Sequence, residues 1–242
     1  MVHTFSVTVS GIRVDGSTVS VAMAHDDVLA QTEFFADASS EELRTIAKHA
    51  TEQSLVRGDI LFHEGDTSNA LYIVLDGRIA VAIPNPIDNR ETMVGLMTAG
   101  DLFGEMPMLD QGARSANARA LEPSTVMAIP YDPIIAMFTA NPVLLWGVTR
   151  LLAGRLRETN EALADSVFLD VTGRTAKRLL ELADGRESFL LPVTQEELAG
   201  IVGASRERVN KAIASFIKLG WIDQHDRRYT IRMRDRLELR SR

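Results

Sequence analysis

The chain has 242 residues, enough for one large domain or two ordinary ones and for a sizeable buried core. It contains no cysteine, which excludes disulfides, thiolate catalysis and Cys-ligated iron–sulfur clusters and suits a reducing cytoplasm. The formal net charge of −7 is unevenly shared: residues 1–169 hold 11 Lys and Arg against 22 Asp and Glu, whereas residues 170–242 hold 15 against 11.

An acidic body with a basic C-terminal end is the footprint of contact with a polyanion, although a drift in surface charge is the plainer alternative. No stretch reaches the ~18 apolar residues of a membrane span. The first residues lack the basic start and apolar run of a secretory signal.

Residues 1–23 stand apart. Phe5, Val7 and Val9 alternate with polar residues, as do Val19, Val21 and Met23, with Asp15-Gly16 between them, the short-range signal of a hairpin. The other reading is that the chain starts at Met23 and the first residues are a mis-set start. Residues 38–50 (ASSEELRTIAKHA) read as a short helix capped by Ser39 or Ser40, with Glu42 in the first turn.

From about 52 to 130 short apolar runs (ILF, ALYIVL, RIAVAI) are separated by Gly-Asp and Asp-Gly pairs. Evenly spaced short strands with such turns predict an antiparallel barrel or jelly roll.

A long helix is expected from Asn141-Pro142 to Phe168, with Pro142 at its start. Leu145, Thr149, Leu152, Leu156, Thr159, Leu163 and Ser166 recur at alternating spacings of four and three, a heptad seam with three polar members. A stripe of this kind suits a parallel dimer, or else a helix packed on its own barrel. FLDVTG (168–173) then breaks the helix.

Within 193–222 the sequence is VTQEELAGIVGASRERVNKAIASFIKLGWI. Thr194 and Glu197 form a capping box, Gly203 supplies a tight turn and Ser205 can cap a second helix, which is helix–turn–helix spacing. At ~100° per residue, Val209, Ala212, Ile213 and Phe216 share one side of the second helix, and Arg206, Glu207, Asn210 and Lys211 the other. Arg can bond a guanine edge twice, Glu can accept from cytosine N4, and the first two turns are the part that enters a major groove. WIDQHDRRYTIRM (221–233) reads as a hairpin with Arg227 and Arg228 at its tip, placed for backbone phosphates. The bland alternative is a solvated charged face on a helical hairpin.

Five motifs in order, GDLFGEMPML followed by ARSA, then RLRETNEAL, FLDVTGR and GASRERVNKAI, resemble the cyclic-AMP receptor protein (catabolite activator) and fumarate-nitrate regulator family of bacterial transcription factors, nearest its cyclic-AMP-binding branch. The resemblance runs from about residue 27 to 235. It implies an α+β chain: an extension (1–23), a cyclic-nucleotide-binding β-roll or jelly-roll domain (24–140), a dimerisation helix and hinge (141–169) and a winged helix–turn–helix (170–242). It implies a cytoplasmic homodimer that takes cyclic AMP as effector, binds palindromic double-stranded DNA with TGTGA-like half-sites and meets RNA polymerase.

The residues suit those expectations. Arg114 can neutralise a cyclic phosphate with paired hydrogen bonds, and Ser115 can add a hydroxyl donor. Phe103-Gly104-Glu105-Met106 is expected to begin a helical turn whose N–H groups favour an anion, with Gly104 allowing close approach. Glu105 would accept from the ribose hydroxyl; a plain Glu105–Arg114 ion pair is the alternative. The resemblance places Thr159 and, from the partner subunit, Asn160 against the base.

It makes Arg206, Glu207 and Lys211 base readers. Arg208 departs from the family's usual small Thr and is expected to contact a phosphate, so Arg208→Ala should lower affinity about equally on all sequences.

Two other readings compete. One is the same DNA-binding fold, constitutive or responding to another effector. The other is a metal-dependent cupin-like enzyme, which needs clustered His and carboxylates; the barrel offers His63-Glu64 and no second His, and no metal-binding or catalytic motif is present. No enzyme activity, metal or cofactor is therefore expected.

Overall fold

Turn chemistry and alternating burial divide the chain into short strands and capped helices. A computed structural model describes residues 24–84 and 91–242. The hairpin expected within residues 1–23 lies outside the described residues. The described helices are α1 (His25–Ala30), α2 (Ser40–Ala47), α3 (Met106–Asp110), α4 (Tyr131–Ala140), α5 (Leu145–Phe168), α6 (Val171–Ala183), α7 (Gln195–Val202), α8 (Arg206–Lys218) and α9 (Arg234–Arg240).

The described residues divide into two units: 24–82 with 95–154, and 83–84 and 91–94 with 155–242. The strands that precede α4 are β1 (Thr51–Leu55), β2 (Ile60–Phe62), β3 (Ala70–Asp76), β4 (Ile79–Pro84), β5 (Glu91–Met97), β6 (Leu102–Phe103), β7 (Asn117–Ala120) and β8 (Ser124–Pro130). They form two four-stranded sheets, ordered β1-β8-β3-β6 and β2-β7-β4-β5.

Strand β3 shows how two faces arise from one run. Leu71 and Ile73 bury in a core shared with α1, α2 and α4, whereas Tyr72 and Val74 face the other core with Phe103, Ala118 and Ile79. That is the period of two that a pleated strand imposes. Pairing of β3 with β8 shifts register between Val74 and Asp76.

The expected capping box on α2 is present: Ser39 Oγ accepts from Glu42 N (3.3 Å) and Glu42 Oε2 accepts from Ser39 N (2.7 Å). The Ser39 N–H first, then the Ser39 hydroxyl, which also donates to Glu42 Oε2 (2.7 Å), hold the Glu42 carboxyl below its usual range.

Helix α5 is preceded by a 3₁₀ turn at Pro142–Leu144, so the proline starts the turn rather than the helix.

In the second unit, β9 (Ser188–Leu190), β10 (Ile222–His225) and β11 (Arg228–Ile231) pair antiparallel in the order β10-β11-β9. Phe189 stacks on Tyr229 at 5.9 Å and Phe216 on Trp221 at 5.6 Å. The break after Phe168 falls where expected, and Asp170 caps α6 by accepting from Gly173 N at 2.8 Å.

Arg240 from α9 donates to both Asp170 carboxylate oxygens. Gly173 N first, then Arg240, hold the Asp170 carboxyl below the ordinary range. A depressed folded value means stability present above the unfolded pKa, ~3.9, and lost as pH falls through the folded one. The side chain is 62% exposed, so solvent screens the ion-pair part. Asp170→Ala is expected to cost about 1 kcal/mol at pH 7 and much less at pH 3, read as the difference in urea midpoints.

Candidate functional site

The stretch from β6 to β7 is arranged around one buried arginine. Phe103 ends β6, and Gly104 follows at φ +78°, a conformation that glycine takes without strain. Glu105 is the residue before α3 and is 1% exposed. The expected helical turn is thus shorter than anticipated. Phe103 belongs to the strand, and its ring stacks on Tyr72 at 5.5 Å inside the barrel. It therefore supports the site from within rather than opening the turn.

Arg114 is 5% exposed. Its Nη1 donates to Gly104 O (2.7 Å) and Tyr131 Oη (3.3 Å), and Nη2 donates to Ala70 O (2.7 Å). The guanidinium lies 4.0 Å from the centre of the Phe62 ring, a cation–π contact. A Cβ on Gly104 would stand 2.5 Å from Arg114 Nη1, so only glycine admits the arginine here.

Tyr131 Oη donates to Gly104 O at 2.6 Å and shares a 2.6 Å hydrogen bond with Ser68 Oγ. Burial raises the Tyr131 phenol above its usual pKa, opposed by Ser68 and by the Arg114 charge.

One donor is left over. Arg114 Nε is buried and has no hydrogen-bond partner. A buried cationic N–H costs stability until an acceptor meets it, and an anion is the acceptor that suits it best. The donor set of an orphaned guanidinium N–H, the glycine cradle and the exposed Ser115 hydroxyl fits a phosphate. Ser115 Oγ lies 3.9 Å from Met106 Sδ, which brings those two expected residues together at the rim.

Sequence spacing missed Phe62, Ser68, Tyr72 and Tyr131, which arrive from β2, the loop before β3, β3 itself and the start of α4. Thr159 and Asn160 are exposed on the part of α5 that belongs to the second unit. Thr159 Oγ1 donates back to Arg155 O at 2.8 Å.

The second candidate surface is α7–turn–α8. Thr194 and Glu197 complete their capping box (3.2 and 2.7 Å), Gly203 takes φ +68°, and Ser205 Oγ accepts from Arg208 N at 3.4 Å. Arg206, Glu207, Arg208 and Lys211 are exposed.

Asn210 differs from expectation: it is half-buried, with Oδ1 enclosed and no hydrogen-bond partner. It lies about 60° around the helix from Ile213, at the edge of the buried arc, so packing claims it.

The hairpin tip is Asp226-Arg227, with Asp226 at φ +52°. Arg227 Nη2 donates to Leu191 O (3.0 Å), which turns that guanidinium back toward the body, while Arg228 remains exposed on β11.

Among the described residues no group of three or more His, Asp or Glu side chains is placed to hold a metal. No single described helix is long and apolar enough to cross a membrane.

Comparison with known proteins matches two domains. Residues 52–141 match the model of the cyclic nucleotide-binding domain, and residues 173–241 that of the Crp-like helix-turn-helix domain. A CRP-like cAMP-activated global transcriptional regulator of Mycobacterium tuberculosis is 34% identical over 224 residues, covering 90% of this chain and all of that one. The chain belongs to the CRP/FNR family of transcriptional regulators.

The cyclic AMP receptor protein of Thermus thermophilus is 31% identical over 74% of this chain and 83% of its own. The solved structure of FixK2 from Bradyrhizobium japonicum has the same fold, with a TM-score of 0.71 at 20% identity over 80% of this chain and 98% of that one. As a family member the protein is a cyclic-nucleotide-binding, DNA-binding transcription regulator and not an enzyme.

Arg208 stands about 60° beyond Lys211 around α8, so it flanks the outward face. If it meets a phosphate, Arg208→Ala should weaken every duplex about equally and flatten the salt dependence by about one phosphate per subunit. A loss confined to one base position in fluorescence anisotropy would refute that role.

Proposed function

We propose that the protein is a cyclic-AMP-responsive regulator that works in the cytoplasm as a homodimer, binds palindromic operators with TGTGA-like half-sites and engages RNA polymerase there. The observation that carries the effector reading is the orphaned Arg114 Nε beside the Gly104 cradle, inside the segment that matches the cyclic nucleotide-binding domain. The named activity of the M. tuberculosis relative supports cyclic AMP as that nucleotide.

In this reading Arg114 and Ser115 hold the cyclic phosphate and Glu105 accepts from the ribose 2′-hydroxyl. Thr159 and the partner subunit's Asn160 face the base, where an Asn amide can pair with adenine N6 and N7. Arg206, Glu207 and Lys211 read base edges in the major groove. Arg208 and Arg228 take phosphates, as does the helix N-terminus at Thr194.

Nucleotide binding then acts by population shift. It favours the arrangement in which α5 and the hinge at Leu169-Asp170 hold two recognition helices one DNA turn (~34 Å) apart.

The test is a calorimetric titration with cyclic AMP, with cyclic GMP as control, followed by operator binding with and without nucleotide. Saturation near one cyclic AMP per subunit, weaker binding of cyclic GMP and a rise in operator affinity are expected. Absence of heat with either nucleotide would sink the effector reading and leave a DNA-binding regulator under another signal.

A further inference from the structure

Helix α5 ends at Phe168 and α6 begins at Val171, so only Leu169 and Asp170 join them. Over the last two turns of α5, residues 161–168, the apolar side chains of Leu163, Val167 and Phe168 are exposed. The residue turned inward is Asp165. Both of its carboxylate oxygens meet Nζ of Lys177 on α6, at 2.7 and 2.6 Å, and the two side chains are 15% and 28% exposed.

Helix formation does not explain a carboxylate there. The last turn of a helix is its negative end, where an acid is unfavourable. Partial burial adds a desolvation cost that a charged partner offsets. The backbone of Asp165 carries the helix to its end, because its carbonyl accepts from Leu169 N at 3.0 Å. The ion pair therefore closes only while α5 is helical through its last turn and α6 starts directly after it.

From α6 the connection continues to the helix–turn–helix. Arg174, about one turn before Lys177, donates from Nη1 to Leu169 O (2.7 Å) and from Nε to Val202 O at the end of α7 (3.0 Å). Helix α6 also packs against α7 and α8. On the other side, Asp165 follows Asn160 by about one and a half turns of α5.

We infer that Asp165 and Lys177 are positioning residues. Their ion pair is a clasp that joins the end of α5 to the DNA-binding helices, and it belongs to the arrangement that binds DNA. This rests on the proposed response to cyclic AMP and deepens it. An ordered α5 and hinge are what nucleotide is proposed to favour, so clasp and nucleotide stabilise the same state. Removing the clasp lowers the population of that state before nucleotide is added. The apparent affinity of a ligand selective for that state falls in proportion.

The test uses the full-length protein with Asp165→Asn, Lys177→Gln and the two combined. The combined variant leaves no unpaired charge behind. Cyclic AMP binding is read by calorimetry without DNA, and operator binding by fluorescence anisotropy without nucleotide and at saturation. Each single substitution is expected to weaken cyclic AMP binding about fivefold, although neither residue is among the proposed nucleotide contacts. Operator affinity without nucleotide should fall by a similar factor, and at saturating cyclic AMP by less, because nucleotide restores the population. The combined variant should be no weaker than either single one, since both act through one bond.

A merely structural role would lower the melting temperature and leave cyclic AMP affinity alone. Folded variants that bind cyclic AMP as the parent does, or more tightly, would overturn the inference, as would losses that add in the combined variant. The unsubstituted protein separates this from the underlying reading. If it takes up no cyclic AMP, the effector reading fails and the clasp falls with it. If cyclic AMP binds and raises its operator affinity while the variants match it, only the clasp fails.

Discussion

Arg114→Ala is expected to weaken cyclic AMP binding by about 100-fold or more, to the point where a calorimetric titration at micromolar protein shows no saturation. A hydrogen bond to a charged group is worth ~1.5–3 kcal/mol, and a factor of 100 needs only ~2.7 kcal/mol, so loss of a single well-placed charged pair suffices.

The same change removes the donors that satisfy Gly104 O and Ala70 O and the cation over the Phe62 ring. Some loss of domain stability therefore accompanies it, and two controls separate the effects. Arg114→Lys keeps the charge but loses the planar fork, and should bind with intermediate affinity. Ser115→Ala alters an exposed side chain and should lower affinity with an unchanged melting temperature. If Arg114→Ala is folded and binds cyclic AMP within threefold of the parent chain, Arg114 is a structural strut and the pocket lies elsewhere.

Gly104, Arg114 and Ser115 could be singled out as a candidate anion site from sequence because a glycine, an arginine and a hydroxyl fall within twelve residues. The residues that aim the guanidinium could not. Tyr131 comes from the first residue of α4, Phe62 from β2 and Tyr72 from β3, and only strand pairing brings them together. No local spacing encodes that.

The capped helices α2, α7 and α8 were readable for the opposite reason. A capping box is closed within four residues, so its geometry is fixed before any tertiary contact. Asn210 shows the limit of a helical wheel. Its angle alone places it beside Arg206, whereas in the fold it is half-buried with Oδ1 enclosed.

On the proposed homodimer, the protein is expected to sediment at twice 26.6 kDa and the double substitution Leu156→Asp, Leu163→Asp at 26.6 kDa. The helix α5 would show this because its apolar stripe is not consumed by its own chain. Leu156 and Leu163 are each 62% exposed, Leu145 41% and Leu152 38%.

The polar members of the stripe do not oppose association. Thr149, Thr159 and Ser166 donate to the carbonyls of Leu145, Arg155 and Leu163 within the same helix, so their hydroxyls would enter an interface already satisfied. Paired carboxylates facing each other across a two-fold axis could not be satisfied in that way.

Because the two leucines touch so little of their own chain, the substituted protein should keep its melting temperature and its cyclic AMP stoichiometry. Operator affinity should nevertheless fall by about 10²–10⁴, since each recognition helix would bind a half-site without the effective concentration that its partner provides. A two-fold dimer presents the same surface twice in inverted orientation, which is why a palindrome is its natural target. A dimer that survives both substitutions would place the interface elsewhere and remove the reason to expect a palindrome.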